Sequence, residues 1–520
     1  MTGSKISLGD FQTPERVADA ACAALQRKGI RPQVLVEPSC GEGHLVAAAL
    51  KHFPTIREAY CIDIQPGHEP AFWRNVSPWS KQAHVEFVVA DAFEHAFPVH
   101  EFTGHDVLIL GNPPWVTNSR QSRLGSSNVP RKSNIKHVRG IEAMTGKGTF
   151  DIAEALATRV ARDLAGPSTW MGIICKTSVV KNLVRDAALL GLRLSGMEMH
   201  AFDAKKEFGV SVAGAFFIAR SGAGEEMECT VHDLIEQSPR YPPFGWHAGK
   251  FVSDIPSYKA VAHLDGKSPC TWRQGIKHDA ARVMLLHDSG NGMFVNGNGE
   301  TVSLEPDVLF PFIKGSRLRG DLVTASDTFA IMTQTCLADD TAGLESRAPG
   351  AWRYLVDHAP ALDGRKSAIY KNRPRFCLFG VGDYAFKPFK VAIASFYKQP
   401  RFSLISPIHG KPAMLDDTCY YVSFDDLPQA TCMLAALGSP LARAFLAAIS
   451  FRDGKRIYSK EILSRLDVIP LLEHPDLASW VAGLSTSIAA AGMRAPSQRS
   501  IDTARQALLA RWREKAMPRP

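Results

Sequence analysis

The feature that most constrains the fold is an alternation of short apolar runs with segments of helix length over about the first 235 residues. Five such runs, each followed by polar or glycine-rich residues, occupy positions 34–36, 60–62, 87–89, 107–110 and 171–174. This alternation predicts an α/β fold in which a doubly wound, mostly parallel sheet is joined by helices. Two further runs, at 197–202 and 213–219, predict an antiparallel hairpin at the edge of that sheet.

A change of pattern predicts a domain boundary near residue 240. Residues 238–245, Ser-Pro-Arg-Tyr-Pro-Pro-Phe-Gly, are rich in turn formers and show no hydrophobic period. Beyond them come short β-like runs broken by glycine and proline, and then an alanine-rich, helical C-terminus. We therefore predict an N-terminal domain over 1–237, a mixed α/β domain over 250–470 and a helical tail over 471–520.

Cysteine usage and hydropathy indicate the cellular compartment. The ten cysteines are scattered without a Cys-x-x-Cys pair, which argues against a zinc ribbon, an iron–sulfur site or a disulfide framework. No apolar run approaches the roughly 20 residues of a membrane-spanning helix, and the first residues lack the apolar core of a signal peptide. These features predict a cytoplasmic protein without a metal site or a membrane segment.

The residues that follow the first three strands indicate a nucleoside-binding site. In an open parallel sheet, ligands bind beyond the carboxyl ends of the strands, near the point where the strand order reverses. Glu37 follows the first strand, and the loop after it contains Gly41 and Gly43, where the backbone could pass close to a ligand. The second strand ends at Asp63, which could accept hydrogen bonds from two ribose hydroxyls. Asp91 follows the third strand, where it would hold a base edge.

The loop after the first strand differs from the fingerprint of dinucleotide-binding proteins. The spacing Gly-x-Gly-x-x-Gly is missing, and the carboxylates of Glu37 and Glu42 would repel a pyrophosphate. A nucleoside that carries a positive charge in place of phosphates fits these residues better. We therefore expect S-adenosylmethionine as the cofactor, with Glu37 facing its positive charge.

The fourth strand ends in Gly-Asn-Pro-Pro-Trp at 111–115, a sequence suited to the methylation of an amine. An exocyclic amino group is a poor nucleophile because its lone pair is delocalised into the ring. Two hydrogen-bond acceptors aimed at its hydrogens favour the pyramidal nitrogen that attacks a methyl group. The side-chain oxygen of Asn112 and the carbonyl of Pro113, which the fixed φ of proline holds rigidly, are predicted to be those acceptors.

The order of these motifs resembles that of the γ-class adenine-N6 DNA methyltransferases of type II restriction–modification systems. Besides residues 112–115, the glycine loop and the acidic strand ends, residues 9–14 match the N-terminal segment that closes over the cofactor in that family. The resemblance implies a Rossmann-like, S-adenosylmethionine-dependent catalytic domain followed by a target-recognition domain. The predicted cofactor contacts are Phe11, Thr13, Glu37, Pro38, Cys40, Gly41, Gly43, Asp63, Ile64, Asp91 and Asn112.

A base inside a duplex cannot reach such a site, so the target base is expected to flip out and stack between aromatic rings. Trp115 is one predicted face, and by resemblance Phe208 falls at the position of the second stacking aromatic. Together with Asn112, Pro113 and Pro114 they complete the predicted catalytic set. Trp115 departs from the more common tyrosine, which puts in doubt any contact made through a tyrosine hydroxyl.

Two basic segments and a net charge of +8 indicate a polyanionic partner, which we expect to be double-stranded DNA. Residues 116–141 contain six Lys or Arg and no acidic residue, and residues 365–401 contain nine, with eight aromatics interleaved. The second pattern suits a nucleic-acid groove, and equally a β-domain with an aromatic core and a solvated basic face. The predicted DNA contacts are Arg120, Arg123, Arg131, Lys132, Lys136, Arg365, Lys371, Arg373 and Lys390.

These features predict an enzyme that methylates adenine N6 at specific sites in double-stranded DNA, as part of a restriction–modification or phage-defence system. The enzyme is expected in the cytoplasm of a bacterium or archaeon, in association with the nucleoid. Cytosine-N4 methylation, methylation of RNA or of a protein glutamine, and a DNA-binding subunit with an inactive site are the alternatives. A partner endonuclease is expected to be a separate chain. The stretch Gly-Ile-Lys-His-Asp at 275–279 looks like a motif, but its role does not follow from the sequence.

Overall fold

The computed structural model describes residues 11–115, 151–454 and 456–516, and the chain divides into two compact units, Met1–Pro256 and Ser257–Pro520. The N-terminal unit is an α/β fold built on a ten-stranded sheet. Its strands are β1 Val34–Glu37, β2 Glu58–Asp63, β3 His84–Val89, β4 Val107–Gly111, β5 Thr169–Lys176, β6 Leu194–Asp203, β7 Ala213–Ser221, β8 Glu228–Asp233, β9 Pro239–His247 and β10 Lys250–Val252. Its helices are α1 Glu15–Arg27, α2 His44–His52, α3 Glu69–Val76, α4 Val99–Phe102, α5 Ile152–Asp163, α6 Thr177–Asp186 and α7 Ala204–Phe208.

The sheet confirms the predicted parallel strands. They lie in the order β10-β9-β8-β6-β7-β5-β4-β1-β2-β3, and β3, β2, β1, β4 and β5 are all mutually parallel. β1 and β4 are buried along their whole length, which explains their apolar sequences, interrupted only by Glu37 at the end of β1. The strand order reverses between β1 and β4, so the carboxyl ends of these two strands border the crevice where ligands bind in such sheets.

The predicted hairpin is present as β6 and β7, but it is not the edge of the sheet. β6 and β7 are antiparallel, and β8, β9 and β10 extend the sheet beyond β6. The domain boundary predicted at 238–245 therefore falls inside β9. Pro242 and Pro243 make this segment resemble a turn, yet the sheet accommodates them because the register of β9 with β8 shifts between Tyr241 and Phe244.

The C-terminal unit contains two sheets and several helices. The sheet orders are β11-β21-β18-β19-β16 and β14-β13-β12-β17-β15-β20. Its strands are β11 Arg273–Gln274, β12 Leu285–Gly290, β13 Met293–Asn296, β14 Thr301–Val302, β15 Leu309–Ile313, β16 Leu322–Val323, β17 Thr328–Ile331, β18 Phe389–Ala394, β19 Phe402–Ile405, β20 Met414–Leu415 and β21 Cys419–Phe424. Its helices are α8 Ile255–Val261, which begins at the boundary, α9 Ala281–Met284, α10 Leu344–Arg347, α11 Pro349–Asp357, α12 Ala359–Asp363, α13 Leu427–Gly438, α14 Pro440–Ile449, α15 Lys460–Leu463, α16 Ile469–Leu472, α17 Leu477–Ala490 and α18 Gln498–Ala516.

The helical tail predicted over 471–520 is not a separate segment, since α17 and α18 pack against α13 within this unit. Cys432 of α13, for example, donates from its thiol to the carbonyl of Ile501 at 3.5 Å. In the part of the chain that the structure describes, no single helix is long and apolar enough to cross a membrane. Only α13 and α14 taken together, bent by 57° at their junction, have that length and composition.

The stretch at 275–279 is buried at Gly275 and Ile276 and reaches the surface of the C-terminal unit at Asp279. The N–H of Gly275 donates to the carbonyl of Cys419 at 3.0 Å, and the N–H of Ile276 donates to the carbonyl of Leu415 at 2.7 Å. A Cβ at position 275 would lie 1.9 Å from the carbonyl oxygen of Asp416. This position therefore requires glycine because two backbones touch there, and a single sequence does not reveal such a contact.

Glu198 is expected to give the N-terminal unit a pH-dependent stability. Burial opposes its ionisation, but hydrogen bonds from His200 at 2.9 Å and Lys28 at 2.7 Å prevail and lower the pKa of Glu198 to about 2. The stabilisation is complete above about pH 4.5, the value in an unfolded chain, and disappears as the pH falls toward about 2. Glu198→Gln should lower the unfolding free energy by about 2 kcal/mol at pH 7, with a smaller difference from wild type in acid.

Urea unfolding at pH 7 and at pH 3 measures this difference. The matched control is Glu225→Gln, because Glu225 forms an exposed ion pair with Arg193 at 3.8 Å in the same unit. This control should change the unfolding free energy by less than about 0.5 kcal/mol at either pH. A Glu198→Gln variant with the stability of wild type at pH 7 would show that the Glu198 contacts do not stabilise the fold.

Candidate active site

The first described residues connect the glycine loop with the end of β4. The carbonyl oxygen of Phe11 and the hydroxyl oxygen of Thr13 accept hydrogen bonds from Asn112 Nδ2, at 3.0 and 3.1 Å. The side-chain oxygen of Gln12, which lies between them, accepts from the backbone N–H of Glu42 at 2.9 Å. This segment therefore contacts two of the loops in which the sequence predicts cofactor contacts.

Asp63 connects the glycine loop with the end of β2. The backbone N–H of Gly41 donates to Asp63 Oδ2 at 2.8 Å, and that of Gln65 donates to Oδ1 at 2.7 Å. His68 Nδ1 lies 3.1 Å from the same Oδ1. A carboxylate has roughly four acceptor positions, so three of them are already used by the glycine loop and by the residues after β2. A ribose would share this carboxylate with the protein.

Gly41 lies against the N-terminal segment. Its φ of +50° is in the left-handed region, and a Cβ there would lie 2.7 Å from Gln12 Oε1. The backbone conformation therefore favours glycine, and a side chain at this position would displace the amide of Gln12. The sequence singled out Gly41 for its approach to a ligand but did not reveal this contact with Gln12.

Glu37, the last residue of β1, is a buried carboxyl group near the backbone N–H of Asn112, which acts to lower its pKa without meeting hydrogen-bond geometry. Its exposed fraction is 1%, and neither carboxylate oxygen is hydrogen-bonded within the described part of the chain. Burial, reinforced by the charge of Asp63, raises the pKa of Glu37 well above its usual range. A buried carboxyl group is costly to leave unpaired, and a cation beside it would favour the charged form. The carboxyl groups of Glu37 and Asp63 therefore suit a positively charged ligand.

The other predicted cofactor contacts surround this end of the sheet. Pro38 and Cys40 are buried in the loop, and Gly43 is the residue from which α2 begins. Ile64 is an apolar side chain left 41% exposed directly after Asp63, where it could pack against a flat ring. Asp91 is half-buried, and its Oδ1 accepts the backbone N–H of the second residue along the chain at 2.8 Å.

The amide of Asn112 has one chemically possible orientation. Its Nδ2 faces the carbonyl oxygen of Phe11, which can only accept, and its Oδ1 lies 3.1 Å from Trp115 Nε1, which can only donate. Asn112 Oδ1 is therefore an acceptor. Among the described residues, no group donates to the carbonyl of Pro113. Both acceptors named from the sequence thus keep capacity for a further hydrogen bond.

The two aromatic residues predicted to stack on a base lie in contact with each other. The ring centroids of Trp115 and Phe208 are 5.2 Å apart, and Phe202 completes the cluster at 6.3 and 5.8 Å from them. Trp115 is 7% exposed and Phe208 8% exposed, so either ring must be uncovered before a base can stack on it. Pro114 is half-buried beside them. Phe202, Gln12 and His68 are site residues that the sequence did not single out.

The predicted DNA contacts have different surroundings. Arg120, Arg123, Arg131, Lys132 and Lys136 lie outside the described residues. Lys371 and Arg373 are exposed in the C-terminal unit. Arg365 donates to the carbonyls of Leu362 and Cys377, at 2.7 and 2.8 Å, and its guanidinium lies 3.8 Å from the ring centroid of Tyr370. Much of the donor capacity of Arg365 therefore serves the protein itself.

The prediction for Lys390 is incompatible with its position. Lys390 lies in β18 between β19 and β21, is 1% exposed, and donates from Nζ to the carbonyl of Lys387 at 2.8 Å. Burial lowers the pKa of Lys390 to about 7. A side chain enclosed in this way cannot reach a phosphate, so Lys390 does not belong to a DNA-binding surface.

Comparison with known proteins identifies the family. No protein-family model matches the chain. It is 36% identical to the type II methyltransferase M.NspV of Nostoc sp. over 468 aligned residues. The alignment covers 89% of this chain and 97% of M.NspV. It is also similar in structure to the type IIL restriction–modification enzyme MmeI, solved in complex with DNA, with a TM-score of 0.56 and 12% identity over 97% of this chain and 73% of that one.

The similarity to MmeI shows the fold alone, whereas the similarity to M.NspV extends over almost the whole of both sequences. The chain therefore belongs to the type II methyltransferases, the S-adenosylmethionine-dependent DNA methyltransferases of restriction–modification systems.

Proposed function

We propose that this enzyme methylates the exocyclic N6 amine of adenine at a specific sequence in double-stranded DNA, after the base has flipped out of the duplex. The observation that carries the proposal is the Asn112 side chain, whose Oδ1 is fixed as an acceptor near the carbonyl of Pro113, to which no described residue donates. The DNA of the nucleoid would be the substrate, and any partner endonuclease would be a separate chain.

The residues at the carboxyl ends of β1 to β3 suit the cofactor. The unpartnered, buried carboxyl group of Glu37 would face the positive charge of S-adenosylmethionine. Asp63 would accept from the ribose, Ile64 would pack against the adenine ring of the cofactor, and Asp91 would hold its edge. When bound, the cofactor supplies an electrophilic methyl group carried on a sulfonium.

Asn112 and Pro113 would act on the amine of the substrate. Each oxygen would accept a hydrogen bond from one amine hydrogen, which favours the pyramidal nitrogen whose lone pair can attack. No side chain needs to remove a proton before the attack, because the amine is neutral at the start. The remaining contribution is to hold the nitrogen in line with the methyl group.

Methyl transfer itself tests the class of substrate. The purified protein should transfer labelled methyl groups from S-adenosylmethionine to duplex DNA, and not to ribosomal RNA or to proteins of a cell lysate. Transfer to RNA or protein alone would contradict the proposal.

Asp63→Ala should weaken the binding of S-adenosylmethionine by about 1.5–3 kcal/mol, or roughly 10- to 100-fold, because hydrogen bonds to a carboxylate are lost. The N–H of Gly41 would lose its partner as well, which loosens the loop. Calorimetry measures the affinity, and Glu86→Ala is the control, since Glu86 is an exposed carboxylate within β3. Unchanged affinity in Asp63→Ala would place the ribose elsewhere.

Removal of Lys371 and Arg373 should change how DNA binding depends on salt. If both exposed side chains contact phosphates, the Lys371→Ala, Arg373→Ala variant should lower the slope of log affinity against log salt by about 0.9 per contact. Lys259→Ala, an exposed lysine of the same unit outside the basic segment, should leave the slope unchanged. An unchanged slope in the double variant would remove this segment from the DNA interface.

A further inference from the structure

We infer that Trp115 is a positioning residue whose indole N–H, rather than its ring face alone, sets the geometry of Asn112. The indole Nε1 lies 3.1 Å from Asn112 Oδ1 and 3.3 Å from the carbonyl oxygen of Ile174 at the end of β5. One donor thus joins the side chain that follows β4 to the backbone of the neighbouring strand. This inference rests on the proposed function and specifies how its acceptor is held.

Among the described residues, the hydrogen bonds of the Asn112 side chain leave one position open. The two hydrogens of Nδ2 go to the carbonyl of Phe11 and the hydroxyl of Thr13, at 3.0 and 3.1 Å. The oxygen Oδ1 has two lone pairs, and the indole N–H of Trp115 takes one of them. The remaining lone pair is the only acceptor position of this amide that a substrate amine could use, and its direction is set by the three contacts already made.

The surroundings of Trp115 hold its ring in place. The side chain is 7% exposed and its ring packs against Phe202 and Phe208, with centroids 6.3 and 5.2 Å away. Because the ring cannot turn freely, the N–H direction is fixed as well. Of the aromatic residues, only tryptophan has a ring N–H that donates and never accepts, so it cannot exchange roles with Asn112 Oδ1. Phenylalanine would keep an apolar ring but leave Oδ1 without this donor.

Single-turnover methyl transfer by Trp115→Phe tests the inference. The rate constant should fall about 10- to 100-fold, because a misdirected acceptor no longer meets the amine in line. The affinities for S-adenosylmethionine and DNA should stay within about twofold of wild type. Trp170→Phe is the matched control, since Trp170 lies earlier in β5, and it should leave the rate unchanged.

The same substitution made in an Asn112→Ala variant separates a positioning role of Trp115 from structural damage. If Trp115 acts through Asn112, then Trp115→Phe should have no further effect on the residual rate of an Asn112→Ala variant. If Trp115→Phe instead damages the site in another way, it should lower the rate of the wild-type enzyme and the rate of the Asn112→Ala variant by the same factor. Equal factors in the two backgrounds, or a Trp115→Phe rate within about twofold of wild type, would overturn the inference.

The hydrogen bond is also measurable without catalysis. In 15N-tryptophan-labelled protein, the indole proton of Trp115 should resonate downfield and move upfield in Asn112→Ala, while the other indole signals stay in place. An unmoved signal would refute the bond even if the enzyme is active. Conversely, a wild-type enzyme that transfers no methyl group to DNA, with the indole shift as expected, would refute the proposed function and leave the bond intact. This measurement also serves if Trp115→Phe fails to fold.

Discussion

Asn112→Ala is expected to reduce the single-turnover rate of methyl transfer by a factor of at least about 100. In the proposed function, the lost Oδ1 would be one of two acceptors for the amine hydrogens, and its contribution would grow as the nitrogen becomes pyramidal in the transition state. Removing one preorganised polar contact of this kind costs about 100- to 1000-fold in comparable sites. The affinity for DNA should change little, because Asn112 would act on the reacting base and not on phosphates.

Rapid-quench measurement of labelled methyl transfer with enzyme in excess gives this rate directly. The control is Asn298→Ala, which removes an exposed asparagine from the C-terminal unit and should leave the rate unchanged. Full activity in Asn112→Ala would mean that the acceptor argument is wrong, and the proposal of amine methylation would lose its main physical support.

Gly275→Ala is the second substitution with a large expected effect. The new Cβ would lie 1.9 Å from the carbonyl oxygen of Asp416, and backbone cannot move aside as a flexible side chain would. We expect a loss of at least about 3 kcal/mol in the stability of the C-terminal unit, the range reached when a core position is overpacked or strained. Sequence-specific DNA binding should be lost with that unit, while S-adenosylmethionine binding by the N-terminal unit should persist.

Thermal unfolding, DNA binding and calorimetry of cofactor binding, measured on the same preparations, separate these effects. Gly343→Ala is the matched control, because Gly343 has φ of −58° and no atom within 4 Å of the Cβ position. It should leave all three measurements unchanged. If Gly275→Ala bound its DNA site as tightly as wild type, target recognition would not depend on this part of the C-terminal unit.

The sequence predicts the parallel strands of the N-terminal unit well because their signals are local. β1 and β4 are buried on both faces and so begin as apolar runs, and the polar residues at and after their ends are the ones from which the cofactor contacts are predicted. Asn112 and its proline neighbours are recognisable from four adjacent residues. Such features depend on the residue and its neighbours in sequence, not on a distant contact.

The features that the sequence does not predict arise from contacts between distant segments. β9 resembles a turn because its prolines are tolerated only where the register with β8 shifts. From the sequence, Lys390 is predicted to be a surface charge, but in the fold β18 lies between β19 and β21 and the side chain of Lys390 is buried. The indole N–H of Trp115 has no visible partner until the fold brings Asn112 Oδ1 within 3.1 Å. Each of these depends on a contact that a single sequence does not display.

The identity of the modified nucleoside tests the central claim most directly. Duplex DNA incubated with the enzyme and isotopically labelled S-adenosylmethionine is digested to nucleosides, which are separated and identified by mass spectrometry. The account predicts label in N6-methyldeoxyadenosine, and sequencing with modified-base detection should place it at one recurring sequence. Label in N4-methyldeoxycytidine, or no labelled nucleoside while the protein binds S-adenosylmethionine, would contradict it.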